Sequence, residues 1–154
     1  MQGFSLKNIF LIVVPIVVVA VFGSIFVNFG IDWFASLQKP TQWIPNFVIP
    51  IVWTIVYVLF AVVLIVYTKE DNLPTKTTIL LAINGILNVL WCLVFFALNQ
   101  TLLGNVLILF NLAFGVLLLN DIFKLKQVFG WVLLVYPLWL LIATTLNLAV
   151  WILN

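Results

Sequence analysis

Residues 47–68, FVIPIVWTIVYVLFAVVLIVYT, decide the fold. Val, Ile and aromatic residues dominate the stretch, and in water such a composition suggests a buried strand. It is also an unbroken apolar run without Asp, Glu or Lys, long enough as a helix to cross a hydrocarbon core about 30 Å thick. Inside a bilayer no water meets the backbone, so every N–H and C=O must bond within its own segment, and a helix achieves this. The stretch therefore predicts a membrane-spanning helix.

Four more runs of the same kind flank it, at residues 9–28, 77–98, 102–120 and 128–153. Only 6% of the 154 residues are charged and 66% are hydrophobic, whereas soluble domains carry about 25% charged residues. The expectation is an all-α integral membrane bundle of five transmembrane helices, a single domain over residues 1–154. The first run follows Lys7 in the manner of a secretory signal. Its apolar length exceeds the usual signal core and it lacks an A-x-A site, so it is taken as the first helix.

The six lysines are scattered, and the chain has no arginine or histidine. No basic patch exists for nucleic acid, and that partner class is excluded. With the N-terminus inside, Lys7, Lys69, Lys76, Lys124 and Lys126 fall on one side and Lys39 on the other. This asymmetry predicts a cytoplasmic N-terminus and an extracytoplasmic C-terminus. Cys92 is the single cysteine, and the spans hold no carboxylate or lysine. Disulfide, metal, acid–base and nucleophilic chemistry therefore lack their groups, and no metal or cofactor is expected. A proton relay is disfavoured too, because Asp121 lies at a helix end.

Lipid provides no hydrophobic drive for helices to associate, so small and polar residues mark the contacts. Asn84, Asn88, Trp91 and Phe95 recur on one face of the third span. Tyr136, Trp139, Ala143, Asn147 and Trp151 do so on the fifth, Trp53, Tyr57, Phe60 and Tyr67 on the second, and Gly104, Asn111 and Gly115 on the fourth. Any one of these residues serves equally as helix glue or interfacial belt. Repetition of aromatic and amide faces on three helices favours a shared pocket. Residues 29–46 join the first two spans and carry Trp33, Trp43, Pro40 and Pro45, with Trp53 and Pro50 just beyond. Proline opposes helix and tryptophan supplies apolar mass, so this connection is expected to fold back as an extracytoplasmic lid.

WFASLQKP at residues 33–40, PIVWTIVY at 50–57, LNVLWCLVFF at 87–96 and ATTLNLAVWILN at 143–154 together resemble the TspO/translocator protein family of tryptophan-rich sensory proteins. The resemblance implies a five-helix bundle, often a homodimer, that binds porphyrins such as protoporphyrin IX, and in animal relatives sterols and benzodiazepine-type drugs. Matched position by position, it implies a ligand site of Trp33, Trp53, Tyr57, Asn84, Asn88, Trp139 and Ala143. Some relatives degrade porphyrin in light, and Trp53 and Trp139 are the analogous electron donors.

The chain departs from the family pattern in places. Gln42 stands where the loop's W-x-P-P should begin, with Trp43 one residue later, and Pro137 follows rather than precedes Tyr136. The fourth span lacks the family's aspartate, with Asn105 and Asn111 the nearest polar residues. The animal sterol motif lacks its tyrosine and basic residue. Three functions remain: a porphyrin-binding sensor, sequestering site or carrier; a light-dependent porphyrin-degrading enzyme; and a structural or assembly subunit.

Overall fold

The computed structural model describes residues 5–41 and 44–154. Among the described residues there is no strand, and five helical spans are long and apolar enough to cross a membrane. They are α1 (Leu6–Phe29), α3 (Val48–Tyr67), α4 (Thr75–Cys92) with a π-helical extension Leu93–Ala97, α5 (Thr101–Leu125), and the pair α6 (Gln127–Leu133) and α7 (Val135–Leu153). A short helix, α2 (Ile31–Ser36), lies between the first two spans. The all-α, five-span expectation therefore stands, with three local changes.

The first change is in the lid. Residues 29–46 are not free of helix, because α1 runs on through Phe29 and α2 adds a turn and a half. The prolines act only from residue 40 onward, so nothing in 31–36 opposes helix. Leu37, which ends α2, is extended. Pro50 lies in the first turn of α3, where a missing N–H costs nothing. Gln42 and Trp43, the displaced loop motif, lie outside the described residues.

The second change divides the fifth span at Leu134. Pro137 has no N–H to give to the carbonyl of Leu133, and the bonds around the break are long, at 3.4 Å from Leu134 N to Trp131 O and from Leu138 N to Leu134 O. The third is the π segment, closed by Leu98 N donating to Leu93 O at 2.9 Å. Two residues beyond its end stands Asn99, whose φ of 57° is the left-handed conformation that asparagine tolerates.

The helices form a ring in the order α1, α4, α5, α7, α3 and back to α1. Ile108 and Leu118 of α5, Leu140 and Val150 of α7, and Val56 of α3 point to its centre and are essentially fully buried. Asn84, Asn88, Asn111, Asn147, Gly104 and Gly115 also face inward, as their periodicity requires. Trp151 does not. It is 42% exposed, and Val150 takes the inward place, because from Ala143 and Asn147 the 3.6-residue turn returns to the face after three residues rather than four.

At the lysine-rich end, Asp121 in the last turn of α5 is buried and held. Thr77 Oγ1 donates to its Oδ2 at 2.6 Å and Lys76 Nζ approaches its Oδ1 at 3.0 Å. This pins the start of α4 to the end of α5. At the opposite end, the side chain of Asn154 clamps the lid, accepting from Gln38 N at 2.9 Å and donating to Gln38 O at 3.0 Å. Lys39 Nζ donates to the carbonyl of Phe34 at 2.7 Å and lies 4.6 Å from that residue's ring centroid. Desolvation lowers the Lys39 pKa from its ordinary value.

Candidate functional site

Two regions of the bundle carry the aromatic and amide residues. The first is at the lid end. Trp33 of α2 meets Phe95 edge-on at 5.7 Å, and Phe34 packs on Phe96 at 5.2 Å between centroids. Phe95 stacks with Trp91 at 6.2 Å, and Trp91 lies 6.2 Å from Trp53. The π extension makes this cluster possible, since its widened turn buries the consecutive residues Phe95 and Phe96 together. Gly104 of α5 admits them, because a Cβ there would stand 2.7 Å from the Phe95 ring. The cluster fills much of the space beneath the lid.

The second region is a cavity of about 410 Å³ between α1, α3 and α4, with Leu118 of α5 and Tyr136 of α7 at its back. Its walls are apolar except for Thr78 at the rim and a set of polar groups at the inner side. There Asn88 Nδ2 donates to Tyr57 Oη at 3.0 Å, and Tyr136 Oη donates to Asn84 Oδ1 at 2.9 Å with Asn111 Oδ1 also in reach at 3.2 Å. The Asn84 amide donates to the carbonyls of Leu80, one turn back, and of Phe114 on α5. Four helices are thus joined through two amides and two phenols. In hydrocarbon such bonds contribute to helix association as well as to any ligand contact.

The seven residues implied by family resemblance divide between these regions. Tyr57, Asn84 and Asn88 line the cavity. Trp53 stands one ring away, stacked on Tyr57 at 5.7 Å. Trp33 belongs to the lid cluster, and Trp139 and Ala143 are buried on α7 outside the cavity wall. Several buried polar atoms have no hydrogen-bond partner: Trp139 Nε1, Asn147 Nδ2, Trp91 Nε1, Asn111 Nδ2 and both polar atoms of the Asn105 amide. Native interiors seldom leave such atoms unpaired.

The contribution of α1 was not anticipated. Leu11, Ile12, Pro15, Ile16, Val18 and Val19 form one cavity wall. The available signal was Pro15, the only residue in that Val-rich run that cannot complete the helical ladder.

The TspO/MBR family model matches residues 11–152, nearly the whole chain. The chain belongs to the TspO/MBR family. Among relatives, the tryptophan-rich protein TspO of Archaeoglobus fulgidus is 31% identical over 136 residues, covering 86% of this chain and 87% of its own length. Protein CrtK of Rhodobacter capsulatus is 29% identical over 126 residues, covering 79% and 78%. The tryptophan-rich protein TspO of Bacillus cereus is 29% identical over 131 residues, covering 83% and 86%. The chain is thus a multi-pass integral membrane protein of the TspO/MBR family, consistent with its five apolar spans.

Proposed function

We propose that this TspO/MBR member binds a flat, largely apolar molecule with a polar edge, of the porphyrin class, and acts as a sensor, sequestering site or carrier. The observation that carries the reading is the cavity itself, about 410 Å³ of apolar wall with the Asn88–Tyr57 and Asn84–Tyr136 pairs on one side. Ligand sites combine this apolar lining with a few polar groups that fix orientation. The amide and phenol groups of Asn84, Asn88 and Tyr57 on that side are suited to a carboxylate or carbonyl edge. On this reading the N-terminus is cytoplasmic, the lid extracytoplasmic, and a homodimer the assembled form.

Titration of protoporphyrin IX into the detergent-solubilised protein, followed by tryptophan fluorescence, tests the proposal. Saturable quenching weakened by Asn88→Ala is the expected result. Absence of saturable quenching would support a structural subunit instead. A light-dependent degrading activity is favoured by one further observation, that Trp53 stacks on a cavity residue and lies 6.2 Å from Trp91. Loss of porphyrin absorbance under illumination, abolished in Trp53→Phe, distinguishes turnover from binding alone.

A further inference from the structure

The cavity opens sideways, away from the lid, through a slot between α1 and α4. Leu11, Pro15 and Val18 lie on one helical stripe of α1, and Thr78, Ala82 and Ile86 on one stripe of α4. All six line the cavity and all six are exposed on the bundle surface, Leu11 and Ile86 to 59% each. These helices run parallel and draw together toward the lid. A Cβ on Gly30 would overlap the Phe96 carbonyl, one on Gly23 would reach Cys92 Sγ at 3.5 Å, and one on Gly85 would meet Val19 Cγ2 at 3.1 Å. Below Gly85, Thr78 and Ala82 of α4 and Leu11 and Pro15 of α1 line the cavity at the slot. Pro15 leaves the Leu11 carbonyl without its helical N–H partner along this edge.

We infer that the slot admits an acyl chain of a bilayer phospholipid, which fills the cavity when no other ligand is bound. The slot opens on the lipid-facing surface of two membrane spans, so the medium at its mouth is hydrocarbon rather than water. An unfilled cavity of this size forfeits the dispersion contacts of its walls, and a mobile chain at the mouth restores them. The cavity's polar groups already bond to one another, so the occupant needs no polar group inside. Lys7, one turn before Leu11 on the same stripe and exposed, provides a cation where the lipid phosphate would lie. A porphyrin-class ligand would then reach the site from the membrane by displacing this chain. The inference about the resting occupant holds whichever ligand the protein takes.

Full-length protein in nanodiscs of phosphatidylcholine and phosphatidylglycerol, with a fraction of the lipid bearing a diazirine near the acyl terminus, tests it directly. After photolysis, adducts are mapped by mass spectrometry. The expected result is labelling of Phe60 and Leu118, which are buried within the cavity, alongside labelling of Leu109 and Phe110 on the outer face of α5. Ala82→Trp, which narrows the mouth, should reduce the inner adducts at least tenfold and leave the outer ones unchanged. Adducts confined to outward residues in the wild type would overturn the inference without recourse to any variant. Inner adducts that persist at full yield in a folded Ala82→Trp protein would overturn the slot as the route.

Discussion

The two ends of the bundle solve the same packing problem in opposite ways. Toward the lid, glycines bring α1 and α4 together and the rings of Trp33, Phe34, Trp91, Phe95 and Phe96 fill what remains. Toward the lysine-rich end the same two helices part, and the space between them is a cavity whose polar groups bond to each other. The tryptophan motifs that identify the family are thus concentrated where this chain is most filled. The open volume lies beside an aliphatic face of α1 that carries no motif, and Tyr57 and Asn88 are the motif residues on its wall. Residue type announces which side chains recognise a ligand, but helix separation determines where one fits.

The sharpest test of this contrast compares two glycines. Gly30→Ala places a methyl against the Phe96 backbone, which cannot yield, and should destabilise the protein by about 3 kcal/mol. Gly85→Ala meets only a Val19 methyl and should cost less than about 1 kcal/mol. Thermal unfolding in detergent measures both, and equal losses would show that the two ends are equally tight.

Next in size is Tyr136→Phe, which removes the donor to the buried Asn84 carbonyl oxygen and leaves it without that bond. A loss of about 1–3 kcal/mol is expected in the same melt. For Asn88→Ala the stability loss should be smaller, because Asn88 bonds the half-buried Tyr57. Porphyrin affinity should fall about tenfold, equivalent to about 1.4 kcal/mol. A lower melting temperature with unchanged affinity in the folded fraction would make Asn88 helix glue alone.

The smallest effect belongs to the lid clamp. Asn154→Ala removes both side-chain bonds to Gln38 and should cost about 0.5–1.5 kcal/mol. Faster proteolysis near residues 37–41, with an unchanged midpoint for the rest of the bundle, is the expected observation.

Much of this architecture is legible in the sequence. Five spans follow from runs without Asp, Glu or Lys, and the inward placing of Asn84, Asn88, Asn111 and Asn147 follows from helical period. The break at Leu134 was present as Pro137, but apolar continuity across it conceals a division that costs only a few backbone bonds. The lid helix Ile31–Ser36 is not legible, because six residues are too few to show a helical period and the prolines that oppose helix begin only after it. A shared pocket is legible in Tyr57, Asn84 and Asn88, but its α1 wall is not, for its cause is pairwise. Gly23, Gly30 and Gly85 matter through what each meets on another helix, and no pattern within one span records that partner.

The π segment at Leu93–Ala97 has a consequence for counting residues along the chain. A π turn holds one residue more than the α turn it replaces, so it acts as a single-residue insertion lodged inside a helix. Each residue of an α-helix advances about 100° around the axis, so everything after the insertion is phased by that angle relative to an uninterrupted helix. Removing one residue from the segment would restore an ordinary helix and swing the Asn99–Gln100 corner around the bundle. Phe95 and Phe96 could then no longer both face inward, and the groove that Gly104 leaves for Phe95 would stand empty.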